Sequence, residues 1–148
     1  MFQFEDGGDL SVTVLGQETL SDNTADVQRM PPITSECPKV LLPLVNAPLI
    51  EYMLEWLAMS GVQKVHVLCC SHADQVRSYL NKSIKWAASD MTLNIISSYN
   101  CLSAGEALRL VDQEGLIQDD FILISGDIVT NMDLTRALAQ HKSRRCAL

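Results

Sequence analysis

Two separated segments contain the residues best suited to chemistry. The first begins with Arg29 in the pattern Arg-x-x-Pro-x-Thr and continues through Pro-Lys at Lys39 to a Leu-Leu-Pro run. The second is the pair Gly126-Asp127, directly after an apolar run. Arg29 and Lys39 are cations that neutralise phosphate groups, and a carboxylate such as Asp127 at the end of a strand suits a hard, oxygen-loving cation. These residue types favour phosphate and divalent-cation chemistry.

The first segment resembles the signature of the sugar-nucleotide nucleotidyltransferases (pyrophosphorylases). In that family a glycine-rich stretch before the arginine wraps a nucleoside triphosphate, and the arginine and lysine neutralise its charge. The resemblance implies that Arg29 and Lys39 occupy the two basic positions and that Asp127 occupies the position of an aspartate that binds the catalytic magnesium. With Gly105, these residues form the candidate vestigial nucleotide-binding site.

The chain departs from that family where the phosphate cradle should lie. A cradle needs backbone N–H groups exposed at close range, which only glycine permits. The residues before Arg29 are instead Ala25-Asp26-Val27-Gln28, and the carboxylate of Asp26 would repel phosphate. We therefore expect a degenerate domain rather than an enzyme, with no catalytic residue, no metal ion and no cofactor.

Three stretches resemble a narrower family, the epsilon subunits of eukaryotic translation initiation factor 2B. They are residues 48–70, 103–109 and 121–145. That factor is the guanine-nucleotide exchange factor for translation initiation factor 2, and its exchange activity resides in a C-terminal helical domain. The resemblance implies a scaffold domain that pairs with the similar domain of the gamma subunit and helps to hold the complex on initiation factor 2.

Strand-like and helix-like stretches alternate four times along the chain, which predicts an α/β fold with a mostly parallel sheet in three layers. Together with the family resemblance, this indicates a Rossmann-like nucleotidyltransferase fold, truncated at its C-terminal side. We expect one domain over residues 1–148, with a flexible tail at 1–9 and a variable loop at 16–29. The predicted strands are residues 10–15, 64–70, 91–97 and 121–125, and the last of them is apolar throughout, as in a strand buried on both faces.

Composition excludes several classes of function. The formal net charge is −7, from 11 Lys and Arg against 18 Asp and Glu, and only the end of the chain is basic. A protein that binds DNA through its phosphates needs a basic surplus, so DNA is not an expected partner. The N-terminus is acidic and no apolar run reaches membrane-spanning length, so we expect a cytoplasmic protein. The 5 cysteines are then reduced thiols.

Several residues keep two interpretations. Asp127 either binds a metal ion or caps the turn after its strand, and the second is favoured. Asp133 either supplies a second carboxylate or caps the last helix, and capping is favoured. Lys39 and Arg29 each either meet an anion or lie in solvent or against a partner subunit.

The sequence leaves two functions open. The first is a non-catalytic scaffold domain that acts in translation initiation through subunit contacts. The alternative is an active or nucleotide-sensing sugar-nucleotide nucleotidyltransferase. We also expect the isolated chain to self-associate, because a truncated sheet exposes an edge.

Overall fold

The computed structural model describes residues 11–16, 37–69, 72–98, 104–117 and 120–144. The predicted tail at 1–9, residues 17–29 of the predicted variable loop, and therefore Arg29, lie outside these ranges. The elements in chain order are β1 (Ser11–Gly16), a 3₁₀ turn (Lys39–Leu41), β2 (Pro43–Leu44), β3 (Ala47–Pro48), α1 (Leu49–Met59), β4 (Lys64–Cys69), α2 (Ala73–Lys82), α3 (Ile84–Ala87), β5 (Thr92–Ser97), α4 (Ala104–Gln113), β6 (Phe121–Ser125) and α5 (Leu134–Arg144).

The main sheet contains four parallel strands in the order β5-β4-β1-β6. Its strands are rich in valine, isoleucine and leucine, residues that fit a pleated and buried surface. From β1 the chain first builds outward through β4 to β5, and it then returns to place β6 on the other side of β1. At such a reversal, here between β1 and β6, open parallel sheets bind their ligands in a crevice beyond the carboxyl ends of the strands.

Helices cover both faces of the sheet, which confirms the predicted three-layer arrangement. On one face, α1 packs a stripe with helical spacing against Val12, Val65 and Val67. The stripe consists of Ile50, Met53, Leu54 and Leu57. On the other face, α4 packs Ala107 and Val111 against Leu68. The second cluster is smaller, so the docking of α4 depends on few side chains.

The five prolines in the segment from Arg29 to Pro48 predict an extended loop before α1, because proline fits neither a regular helix nor a central strand. The structure differs from this prediction. The described part of the segment contains the 3₁₀ turn and a short antiparallel hairpin, in which β2 pairs with β3 across Val45 and Asn46. Val45 has a φ of 64°, a left-handed conformation that a β-branched residue rarely adopts. Leu49 N donates to Leu42 O at 3.1 Å, which ties the start of α1 to the end of the 3₁₀ turn.

The helical segment after β4 corrects two expectations. Ser71 and Asp74 have the sequence spacing of a capping box, but the N-cap residue of α2 is His72, without a side-chain cap, and Ser71 lies outside the described residues. The helical spacing of Val76, Leu80 and Ile84 in the sequence predicts one shared buried face, yet Ile84 is 84% exposed. The helix ends at Lys82 and a short new helix begins at Ile84, so the phase changes and Trp86, 5% exposed, packs into the core instead.

Strand β6 is less buried than its apolar sequence predicts. Ile124 is buried, but Leu123 is 37% exposed. Within the described ranges β6 pairs with β1 alone and forms an edge of the sheet. The small cluster under α4 is centred on Leu68 of β4, so it leaves this side of β6 partly open.

His66 is a buried histidine whose titration should affect stability. It lies beside Thr13 in the pairing of β1 with β4, and Nδ1 of His66 and Oγ1 of Thr13 have no hydrogen-bond partner among the described residues. Burial, with a smaller effect from nearby Lys64, lowers the pKa of His66 below its ordinary value of 6.5.

The unfolded chain binds a proton at His66 more readily than the folded chain does. The free energy of unfolding should therefore fall as the pH drops below about 6.5 toward the lower pKa of His66 in the folded state. Urea unfolding at pH 7.5 and pH 5.5, compared between the wild type and His66→Leu, isolates this contribution from the other histidines. The wild type should lose more stability than the variant across this interval, and equal losses would contradict the assignment.

Among the described residues, no helix has both the length and the apolar composition needed to cross a membrane.

Candidate functional site

An ion pair joins Lys39 and Asp127, two of the predicted binding residues, at the carboxyl ends of β1 and β6. Lys39 lies at the start of the 3₁₀ turn, and Asp127 lies in the turn that follows β6. Nζ of Lys39 donates to Oδ2 of Asp127, although 88 residues separate them in the chain. Their side chains are 23% and 19% exposed, so water is partly excluded from the pair. The pair connects the segment after β1 to the end of β6.

Ser125 completes the arrangement and was not predicted as a site residue. Its Oγ donates to Oδ1 of Asp127 at 2.5 Å, so both carboxylate oxygens accept a hydrogen bond. These bonds, first the one from Lys39 and then the one from Ser125, hold the pKa of Asp127 below its ordinary value and outweigh the opposing effect of burial. The signal in the sequence was the Ser-Gly-Asp order at the end of β6, which brings the hydroxyl two residues before the carboxylate.

Among the described residues, the candidates Gly105 and Asp133 do not join this pair. Arg29 lies outside the described residues. Gly105 is exposed in the first turn of α4, in the connection that follows β5 at the opposite edge of the sheet. Asp133 caps α5, since its Oδ1 accepts from the backbone N–H of Thr135 at 3.0 Å and of Arg136 at 3.4 Å. The favoured interpretation of Asp133 is therefore confirmed.

Contacts with α1 and with the core also hold the loop between β6 and α5 in place. Trp56 of α1 donates from Nε1 to the backbone oxygen of Met132 at 2.9 Å, and its ring packs against the core. Leu134, the first residue of α5, is buried in the same core. These contacts set the position of the loop that begins at Asp127.

The opposite charges of Lys39 and Asp127 limit the ligands that this site can bind. The carboxylate of Asp127 and the ammonium group of Lys39 neutralise each other, so a metal ion or a phosphate would have to displace one of them. Among the described residues, no group of three or more His, Cys, Asp or Glu side chains is placed to hold a metal ion. The geometry therefore favours a structural link across the crevice.

Breaking this link should destabilise the domain modestly. Lys39→Met and Asp127→Asn should each lower the free energy of unfolding by about 1–2 kcal/mol, because each leaves a partly buried partner without its opposite charge. The double variant should lose less than the sum, with a coupling of about 1 kcal/mol. Urea unfolding of the two single variants and the double variant measures this coupling, with Lys82→Met, which removes an exposed lysine of α2, as the control. Strictly additive losses would mean that the two side chains do not interact.

Comparison with known proteins identifies the family. A family model described as nucleotidyl transferase matches residues 26–147, most of the chain. The chain belongs to the nucleotidyl transferase family. Its fold agrees with this membership, since it superposes on UDP-glucose pyrophosphorylase from Acinetobacter baumannii with a TM-score of 0.74 at 15% identity, over 93% of this chain and 54% of that one.

Within the family, the narrower resemblance seen in the sequence is confirmed. The chain is 50% identical over 119 residues to translation initiation factor eIF2B subunit epsilon from Schizosaccharomyces pombe. It is 48% identical over 118 residues to the subunit of the same name from Dictyostelium discoideum. The two alignments cover 79% and 80% of this chain and 17% of each relative, so the chain spans about one sixth of the length of these proteins.

Proposed function

We propose that this member of the nucleotidyl transferase family is a non-catalytic scaffold domain of the epsilon subunit of the guanine-nucleotide exchange factor for translation initiation factor 2. It acts in the cytoplasm, in translation initiation, through contacts with the other subunits, above all the gamma subunit, and with initiation factor 2. In this proposal the chain is the N-terminal part of a single nucleotidyltransferase-like domain.

The ion pair between Lys39 and Asp127 is the observation that carries the proposal. It lies at the carboxyl ends of the strands, where open parallel sheets bind ligands. Of the four candidate binding residues, Lys39 and Asp127 are the only two that the described structure brings together. A site whose cation and anion neutralise each other stabilises the fold without a bound nucleotide. The absence of glycines from Ala25 to Gln28 supports the same conclusion, because the backbone there carries side chains that would crowd a triphosphate.

Reconstitution with the gamma subunit tests the proposal. The chain, mixed with purified gamma subunit, should elute from a sizing column as a complex, and added GTP and magnesium should not change the elution. A parallel assay should detect no pyrophosphate release from ATP or GTP with a sugar 1-phosphate. Failure to form the complex, or turnover that Asp127→Asn abolishes, would contradict the scaffold role.

A nucleotide-sensing role is the second candidate. In this role a nucleotide with magnesium displaces the mutual contact of Lys39 and Asp127 and binds to both side chains. This role predicts saturable nucleotide binding without turnover, which distinguishes it from both the scaffold and the active enzyme.

The open edge of β6 supports self-association of the isolated chain. An edge strand presents unpaired backbone groups that template pairing with another chain, and Leu123 adds apolar surface there. At the other edge, Arg77 of α2 donates to the backbone oxygen of Ile95 at 3.3 Å, which occupies part of the edge of β5. Sedimentation velocity at high concentration should therefore detect dimers or larger species, and a clean monomer would contradict this expectation.

A further inference from the structure

Helix α4 crosses the two central strands of the sheet, yet few buried side chains hold it there. The chain leaves β5, forms α4 and then enters β6, and within the described ranges these two strands lie at opposite edges of the sheet. The helix therefore passes over β4 and β1. Its buried contacts are those of Ala107 and Val111 with Leu68, whereas the stripe of α1 belongs to a much larger cluster on the other face. The layer formed by α4 is the more weakly attached of the two.

Two buried polar side chains lie on the face of the sheet that α4 covers. Thr13 of β1 pairs with His66 of β4, and His66 points to the same face as Leu68 because it lies two residues earlier in the strand. Thr13 is 0% and His66 is 3% exposed, and Oγ1 of Thr13 and Nδ1 of His66 have no hydrogen-bond partner among the described residues. An unpaired buried polar group destabilises the folded state, and contact with water removes this cost. The pair therefore favours opening of the face above it.

The described groups around His66 do not stabilise its protonated form. Its neighbours in the sheet, Thr13 on β1 and Asn94 on β5, do not titrate. The side chains of α4 that pack on the sheet are apolar. The charged side chains of α4 and of the turn after it are exposed: Glu106, Arg109, Asp112 and Glu114. Burial, and then nearby Lys64 on the same side of β4, lowers the pKa of His66, so that proton binding is unfavourable while α4 is docked.

We propose that α4 is an acid-sensitive layer of the domain: proton binding at His66 promotes its undocking from the sheet, while the α1 layer stays folded. Undocking lets water reach Thr13 and His66, so that both polar groups find hydrogen-bond partners and the charge of His66 is hydrated. The α1 layer lacks this response because it covers apolar side chains, such as Val65 and Val67, that do not titrate. The response does not depend on the proposed function, because it requires only the contacts of one helix with the sheet.

Native-state hydrogen exchange at pH 7.5 and pH 5.5 tests this response. Protection factors, which correct for the pH dependence of the chemical exchange rate, are measured for the amides of α4 and α1. Because α4 undocks alone, we expect its protection factors to be at least about tenfold lower than those of α1. They should also fall about threefold or more from pH 7.5 to pH 5.5. The undocked form can gain up to about tenfold in population for each pH unit below the ordinary pKa of His66, which is 6.5.

Three variants and one control separate the roles of the two polar groups. His66→Leu and His66→Gln cannot titrate, so the protection of α4 should stay constant between the two pH values in both. Thr13→Val keeps the shape of the side chain and removes its hydroxyl, so the protection of α4 should rise at both pH values and its pH dependence should remain. His141→Gln, which changes an exposed histidine of α5, is the matched control and should behave like the wild type.

Equal protection factors in α4 and α1 would overturn the proposal, because the helix would then open only with the whole domain. A weakly protected α4 whose protection does not change with pH would overturn it as well, since His66 would remain covered in the opened form. A fall with pH that persists in both His66 variants would assign the response to another group and would also overturn it. A fall seen in the wild type, Thr13→Val and His141→Gln, but in neither His66 variant, supports the undocking of α4 by proton binding at His66.

Discussion

Replacing Glu51 with alanine is expected to lower the free energy of unfolding by about 3 kcal/mol, because it removes an acceptor shared by two side chains. Oε1 of Glu51 accepts from the hydroxyl of Tyr79 and from Nε1 of Trp86, each at 3.0 Å. Oε2 lies 3.5 Å from Nζ of Lys85. These contacts join α1 to α2 and α3. Burial, together with the bond to Glu51, raises the pKa of Tyr79 above its ordinary value of 10.0.

Two control variants separate this role from a general effect of charge. Glu51→Gln retains a carbonyl oxygen that can accept both bonds and loses the ion pair with Lys85, so it should cost about 1 kcal/mol. Glu55 contacts the same lysine at 3.4 Å but is largely exposed, and Glu55→Ala should cost less than about 1 kcal/mol. Urea unfolding followed by tryptophan fluorescence measures all three variants. Equal losses for Glu51→Ala and Glu55→Ala would contradict the shared-acceptor role.

Leu68→Ala is expected to lower the free energy of unfolding by about 3 kcal/mol, by opening a cavity beneath α4. Leu68 is fully buried and packs with Ala107 and Val111, in the small cluster that holds α4 to the sheet. Few other buried contacts hold α4 to the sheet, so the loss of stability should be concentrated in this helix. Hydrogen exchange should accelerate in the amides of α4 before those of α1, whose stripe packs on the opposite face.

Leu123→Ala is the matched control for this cavity. Leu123 points to the same face of the sheet as Leu68, because side chains alternate along paired parallel strands, but it is partly exposed at the edge. The same chemical change should cost about 1 kcal/mol or less there. Equal destabilisation by Leu123→Ala and Leu68→Ala would mean that this face is covered as fully at the edge as beneath α4, contrary to the structure.

The strands and helices were predictable because their patterns are local. The apolar run from Phe121 to Ser125 and the helical stripe of α1 each follow a period set by backbone geometry. Burial of β6 was not predictable from its own residues, because its position at an edge depends on the order in which strands pair. The left-handed turn at Val45 was missed for a related reason, since valine carries no local preference for that conformation.

The candidate site was predictable in part. The resemblance to the nucleotidyltransferases identified Lys39 and Asp127 individually, as a basic position and a carboxylate position. Their direct pairing depends on β1 and β6 being neighbours, a long-range feature that spacing along the chain does not encode. The Ser-Gly-Asp order contains the signal for Ser125, but a hydroxyl two residues before a carboxylate does not by itself indicate that the two groups form a hydrogen bond.

Calorimetric titration of the chain with GTP, ATP and a nucleotide sugar, each with magnesium, tests the central claim most directly. The proposed scaffold role requires that Lys39 and Asp127 bind each other rather than a nucleotide. It therefore predicts no saturable heat with any of the three ligands, for the wild type and for Lys39→Met and Asp127→Asn alike. Saturable binding to the wild type that either substitution abolishes would show that the crevice still binds a nucleotide, and it would contradict the account.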